Sequence, residues 1–431
     1  MIPMKTYNQT VEELFDLQKF SIKMGLDNIN ALAESMGNPH LAYPVLHVAG
    51  TNGKGSTSMM IQHILSAHGL KTGVYTSPHL VDFRERIRVN DRLVDEPFVI
   101  DFWQRISRLV IERQATFFDA TTAMAFDYFK REGVDVAVIE TGLGGRLDST
   151  NLVQPEAVIL TPIGMDHTKQ LGRNLRSIAR EKANIIKKGA WVFSSRQDKP
   201  AREVIDAYLH LAAGYLYIPE STKASAAIYE RTICRFDLTD RVRHLRFQGI
   251  TLGVPGQFQV ENALLAYQVS RWYLEKREIP FSEEKFRSAL AAFRWSGRLQ
   301  QVSVQPEIYL DVSHNYSGFK RTIKFVRGIA TTEHRHLLIG LLNDKPYKQI
   351  ARLLRNEFKE VTIVEPVNER ALPAETLKAV FNIYWDRVRV EKSVQDAYRV
   401  AVGAMRKNDV LFVMGSHFLV SEILKVLHKS T

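Results

Sequence analysis

Residues 44–67 read PVLHVAGTNGKGSTSMMIQHILSA, an apolar run, a glycine-rich turn and then a helical pattern. That succession predicts a parallel α/β sheet with an anion at the turn, because glycines let backbone N–H groups converge at a helix N-terminus. The loop departs from the common G-x-x-x-x-G-K-[ST] form. Val48 stands where the first glycine would be, and Gly55 separates Lys54 from Ser56. A plain strand-to-helix turn would use the same glycines for positive φ, but the flanking strand and helix favour a phosphate loop.

Apolar runs followed by helical patterns recur as YPVLHVAG, TGVYTSP, VDVAVIETG, EAVILTPIG and AWVFSS. Strands alternating with helices predict a mostly parallel sheet with helices on both faces. The first helix is read from Thr10, with Thr10 and Glu13 as a capping box. Between about 215 and 255 the pattern changes to short alternating segments, which predict a small antiparallel insertion. A helix resumes at Phe258, and a boundary falls in FRWSGRLQ. Beyond it EIYLDVS, HRHLLIGLL, EVTIVEPV, RVRVEKS and DVLFVMGS begin further strand-helix units. The expected architecture is an N-terminal P-loop ATPase domain over 1–296 and a C-terminal Rossmann-like α/β domain over 297–431.

Composition narrows the setting. The chain has 431 residues, 45% of them hydrophobic and 24% charged, which suits a globular protein with several domains. Cys234 is its only cysteine, so neither an internal disulfide nor a cysteine-built zinc site is expected. No apolar run approaches the ~20 residues of a membrane span, and no apolar segment follows Lys5 near the N-terminus. A cytoplasmic protein without a membrane partner is the expectation. The formal charge is +11, spread along the chain without a block, which fits anionic small molecules better than nucleic acid.

Chemistry-bearing residues follow the strand candidates. Ser77 follows the second, Glu140 the third and His167 the fourth, while the phosphate loop follows the first. In a parallel sheet these ends share one rim, where ligands bind. Glu140 and His167 are therefore candidates to hold magnesium, which takes oxygen ligands from few protein groups. Taken singly, Glu140 reads as a solvated turn acid and His167 as a packed histidine. Lys182, on the helical stretch SIAREKANIIKKG, reads by itself as a solvent-facing salt-bridge lysine.

A GTPase would carry N-K-x-D, and LLNDKPY only scrambles those letters. A motor ATPase would show a second acid where VIETG has one. A small-molecule kinase leaves the second domain unexplained. GTNGKGST, TSPHL, ERIRVN, ETGLGGRLDSTN, GMDHTKQLG, REKANIIK, GRL and LDVSHN stand in an order and approximate spacing that resembles the folylpolyglutamate synthase and dihydrofolate synthase family of Mur ligases. The resemblance runs from about residue 20 to 420, and the glycine-inserted phosphate loop is part of it.

The resemblance implies an ATP-dependent ligase that adds L-glutamate to dihydropteroate, to the γ-carboxylate of glutamyl folates, or to both, through an acyl phosphate. It implies ATP contacts from Asn52, Gly53, Lys54, Gly55, Ser56, Asn262, Arg298 and Asp311, with Lys54, Lys182 and His314 catalytic. Ser77, Glu140 and His167 would hold metal, and Lys182 matches a lysine that family members carbamylate. ATP and two magnesium ions are the implied cofactors, with a monovalent cation as an optional addition. Pteroate contacts would come from Gly25, Leu26, Asp27, Phe118, Asp119 and Asp148, although these stretches also read as ordinary helix starts. A monomer acting on small molecules is expected, with a cell-wall Mur ligase or a nucleotide-binding regulator with nucleic-acid affinity as alternatives. The sequence departs from the family pattern D-G-A-H-N-P at Val312, Ser313 and Tyr316, while Asp311 and His314 stay in register.

Overall fold

The computed structural model describes residues 5–17 and 25–428. Met24, at the head of MGLDNI, lies outside them. The first helix spans Tyr7–Asp16 and is capped by Thr6, whose hydroxyl accepts from Gln9 N while the Gln9 side chain accepts from Thr6 N. The capping box is therefore Thr6 with Gln9, four residues before the one expected. Thr10 is fully buried within the helix, its hydroxyl donating to Thr6 O at 3.0 Å.

Eight strands form the larger sheet: β1 (Val45–Ala49), β2 (Thr72–Tyr75), β3 (Ile87–Val89), β4 (Arg92–Leu93), β5 (Val136–Glu140), β6 (Ala157–Leu160), β7 (Trp191–Ser194) and β8 (Gly214–Tyr217). Their order is β4-β3-β2-β5-β1-β6-β7-β8, parallel from β2 to β8 with β3 and β4 antiparallel at one edge. Every residue of β1 and β5 is buried, as central parallel strands require. Val136 and Val138 join the core beneath helices Lys54–Ala67 and Gln257–Lys276, whereas Ala137 and Ile139 join the core beneath helix Phe117–Glu132. The two-residue strand period thus feeds two separate cores. It also leaves the carboxyl ends of β2, β5, β1 and β6 side by side.

The antiparallel insertion comprises β9 (Thr222–Tyr229), β10 (Cys234–Asp240) and β11 (Leu245–Leu252), in the order β11-β10-β9. It is shorter than the expected 215–255, because residues 214–217 pair in parallel with β7 and extend the large sheet. The third sheet holds β12 (Gln300–Val304), β13 (Glu307–Asp311), β14 (Arg335–Ile339), β15 (Glu360–Val364), β16 (Val388–Glu391) and β17 (Val410–Met414). Its order is β12-β13-β17-β14-β15-β16, parallel except for β12. β12 has no counterpart in the sequence reading, since its residues are only half buried or exposed. No helix among the described residues is long and apolar enough to cross a membrane.

Two buried histidines make the fold acid-sensitive. Burial, helped by Lys187, lowers His40 to about 4 and His47 to about 3. The unfolded chain takes up these protons below its ordinary histidine value of about 6.5, whereas the folded chain does not until near 4 and 3. Their contribution is therefore complete above about 6.5 and is lost as pH falls. Unfolding in urea at pH 7 and pH 5 should differ by roughly 2 kcal/mol for each histidine. Equal unfolding free energies at the two pH values would contradict this.

Candidate active site

The carboxyl ends of β1, β2, β5 and β6 face the C-terminal sheet across a cleft of about 330 Å³. Gly53, at φ +90°, is the N-cap of helix Lys54–Ala67 and makes no side-chain capping bond. The helix also lacks an acid in its first turn, so its leading N–H groups suit an anion. A Cβ on Gly53 would stand 2.6 Å from Asn262 Oδ1, so a side chain there would collide with helix Gln257–Lys276. The inserted Gly55 has a different surrounding. Its Cβ position lies 3.4 Å from Glu140 Oε2 and 3.6 Å from the Trp295 ring, which leaves room for little more than a methyl group.

Glu140 ends β5 with its carboxylate buried. Burial raises its pKa, opposed by Lys54, by the Ser77 amide and by Arg298. Lys54 Nζ lies 3.7 Å from Oε1, and Ser77 N donates to Oε2 at 3.3 Å. His167 has φ +49° at the start of the short helix Thr168–Leu171, and burial followed by the nearby Lys345, His314 and Lys54 lowers it to about 4, against the pull of Asp166. Its ring is therefore neutral at physiological pH.

Lys182 belongs to helix Leu175–Ala183 and is buried, which corrects the reading of it as a solvent-facing lysine. The charges of Asp166, Asp148 and Glu140 act on its ammonium. Burial and then Lys54 lower its pKa to about 7, so a large fraction is free amine near neutrality.

From the opposite side come Arg298, Asp311 and His314. Burial lowers the pKa of Arg298, with Asp311 and Glu140 as its opposing anions. Asp311 ends β13 and accepts from Leu299 N and Ser313 N, each at 3.0 Å, and from the Thr322 hydroxyl at 3.1 Å. It therefore fixes the turn on which His314 sits, which also carries Val312 and Ser313.

Asp166 links the two sides of the cleft through a buried ion pair. Its Oδ1 lies 2.8 Å from Lys345 Nζ, and its Oδ2 accepts from Asn315 Nδ2 at 2.8 Å and faces His314 Nε2 at 3.4 Å. Burial would raise this carboxyl, but His314, His167 and Lys345 together hold it far below the usual carboxylate range. Asn52 adds a second link, donating to Ser317 Oγ at 2.7 Å and exchanging hydrogen bonds with Asn315.

All thirteen residues expected at the ATP, metal and catalytic positions line this one cleft, from Asn52 through Ser77, Glu140, His167 and Lys182 to Asn262, Arg298, Asp311 and His314. The six pteroate candidates do not line it. Asp148 accepts from Leu143 N at 2.6 Å and from the Thr150 hydroxyl at 2.5 Å, while Asp119 accepts from Thr116 and from the Ser149 hydroxyl. The Phe118 ring lies 2.4 Å from where a Cβ on Gly142 would stand. These three residues thus brace the GLGGRLDSTN turn, and Gly25, Leu26 and Asp27 open the helix Asp27–Ser35 that packs on helix Phe117–Glu132. Sequence reading passed over Arg321, Lys345, Arg370 and His417, which also line the cleft. Lys345 sits in LLNDKPY, the segment noticed only for what it was not.

A phosphate loop facing a second α/β domain across a cationic cleft defines an ATP-dependent ligase of the Mur type. Residues 48–270 match the Mur ligase middle domain, and residues 297–417 match the Mur ligase glutamate ligase domain. The folylpolyglutamate synthase of Lacticaseibacillus casei is 30% identical over 98% of each chain, and the dihydrofolate synthase/folylpolyglutamate synthase of Bacillus subtilis is 30% identical over 95% of this chain and 96% of its own. Among solved structures, Mycobacterium tuberculosis folylpolyglutamate synthase complexed with ADP and AMPPCP aligns at TM-score 0.89 and 26% identity over 97% and 98% of the two chains. Escherichia coli FolC in complex with DHPP and ADP aligns at TM-score 0.88 and 27% identity over 99% and 98%. The chain belongs to the folylpolyglutamate synthase/dihydrofolate synthase family of the Mur ligases.

Proposed function

We propose that this enzyme joins L-glutamate to dihydropteroate and to the γ-carboxylate of glutamyl folates, with ATP activating the acceptor carboxylate as an acyl phosphate. The observation that carries the reading is the meeting of Lys54 and Glu140 with Lys345, Arg298, Arg321 and Arg370 in one cleft. Such a site suits three anionic partners at once: a nucleoside triphosphate, a carboxylate acceptor and an acidic amino acid. A free carboxylate is a poor electrophile, so phosphoryl transfer to it must precede amide formation. Catalysis then consists mainly of alignment and charge neutralisation.

In this reading Asn52, Gly53, Lys54, Gly55 and Ser56 cradle the phosphates, while Asn262 supports the loop at Gly53. Arg298, Asp311 and His314 bring the C-terminal domain onto the nucleotide. Residues 297–431 carry the glutamate, with Lys345 and Arg370 as cations for its carboxylates. The pterin end is assigned to Gly25, Leu26, Asp27, Phe118, Asp119 and Asp148, behind the glycine turn.

The donor set fits magnesium. The Glu140 carboxylate lies beside Lys54 of the phosphate loop, and a hard oxygen donor there suits an ion that also keeps waters and phosphate oxygens. Ser77, Glu140 and neutral His167 would hold one ion and carbamylated Lys182 a second. Bound there, magnesium supplies positive charge to the transferring phosphoryl group. Lys54 supplies further charge, and the meeting of the two domains excludes water from the activated carboxylate.

Incubation with ATP, magnesium, L-glutamate and dihydropteroate should release ADP only when all four are present. Replacing dihydropteroate with a monoglutamyl folate should also support release, and a UDP-muramoyl peptide should not. ADP release independent of any pteroate or folate would count against the proposal. Gly53→Ala should raise the KM for ATP at least about tenfold, since a side chain at φ +90° costs roughly 1–3 kcal/mol even before the collision with Asn262. An unchanged KM would remove Gly53 from the cradle.

A further inference from the structure

His417 opens the last helix, His417–His428, and lines the cleft. The Ser416 hydroxyl accepts from Leu419 N at 3.0 Å and caps that helix. The His417 Nε2 is buried and has no hydrogen-bond partner among the described residues. A buried polar nitrogen is costly to leave unmatched, and on the wall of a ligand cleft the natural partner is the ligand. Burial, and then the cations Arg298, His314, Lys54 and Lys345 that face it, hold His417 well below the usual histidine range. The ring is therefore neutral and able to accept a proton.

His314, another histidine of the cleft, is engaged by protein groups. His314, whose ring centroid lies 5.3 Å from that of His417, places Nδ1 2.9 Å from Val312 O and Nε2 3.4 Å from Asp166 Oδ2. Both of its nitrogens already face protein oxygens, whereas the Nε2 of His417 faces none.

We propose that His417 meets the amino group of the incoming amino acid and takes a proton from it as the amide forms. This rests on the acyl phosphate reading above. The imidazole of His417 takes one proton from the incoming ammonium, which frees the nitrogen lone pair to form a C–N bond to the acyl carbon. The bond from that carbon to the phosphoryl oxygen breaks, and phosphate departs with the bonding pair and takes up the second nitrogen proton as hydrogen phosphate. Binding of a dicarboxylate amino acid offsets the surrounding cations and strengthens the ring as a base at the moment it is needed.

The test uses the full chain with ATP, magnesium and dihydropteroate, supplied with either L-glutamate or hydroxylamine. His417→Gln should lower glutamate-dependent amide formation by about 100-fold or more, the usual size of a lost proton acceptor. Hydroxylamine is largely unprotonated at neutral pH and attacks acyl phosphates without help. The variant should therefore form hydroxamate at close to the wild-type rate. His417→Asn provides a second variant with the same expectation, and both are assayed after their unfolding midpoints are matched to the wild type. Wild-type amide formation in the variants, or equal loss of amide and hydroxamate, overturns the role of His417. Failure of the wild-type enzyme to form any acceptor-dependent hydroxamate would instead overturn the ligase reading itself.

Discussion

Replacing Lys182 with alanine should reduce amide formation by about 10²- to 10³-fold, the scale on which loss of a single preorganised electrostatic group acts. Acetate or propionate should restore part of the rate. A buried ammonium beside Lys54 would add repulsion to a site already short of negative charge. Attack of its neutral amine on carbon dioxide forms an N–C bond, releases a proton and turns that cation into a carboxylate-like anion. An oxygen anion can hold a hard metal ion, which an ammonium cannot. Wild-type activity should rise with bicarbonate, and intact mass should show one added carbon dioxide. Unmodified Lys182 in fully active enzyme at saturating bicarbonate would contradict this.

Asp166→Ala should destabilise the protein by roughly 3 kcal/mol, because breaking a buried ion pair leaves the remaining charge uncompensated. The expected cost is at the low end for such pairs, since Asp344 still lies 3.2 Å from Lys345 Nζ. Lys345→Met should cost a similar amount, and the double variant should cost clearly less than the sum. The pair joins the loop after β6 to the C-terminal sheet, so kcat should fall in each single variant as the two halves of the cleft lose alignment. Denaturant titrations of the four proteins give the coupling energy. Strict additivity would show that the contact does not hold the domains together.

The strands of the large sheet were legible because β1 and β5 are apolar apart from His47 and Glu140, and burial on both faces favours such runs. The shared rim of Ser77, Glu140, His167 and the phosphate loop followed from strand ends alone. Residues 214–217 were misplaced because a half-buried edge strand carries the same short alternation as a hairpin. Thr10 was taken for a cap because a Thr three residues before a Glu has the same letters as a capping box, whereas its side chain faces the core. Lys345 and His417 were illegible for a different reason. Each is a single polar residue beyond a strand, and its importance comes from Asp166 or the cleft wall, which only the folded chain brings near. Lys182 shows the limit most clearly, since nothing in a helical pattern distinguishes a buried lysine from a solvated one.

The most direct test of the account labels the acceptor carboxylate with ¹⁸O and follows the label through one turnover. Activation as an acyl phosphate predicts that one labelled oxygen leaves with the inorganic phosphate for each glutamyl bond formed, with ADP as the other product. Phosphate free of label, or label recovered in AMP, would contradict the acyl phosphate route and the function built on it.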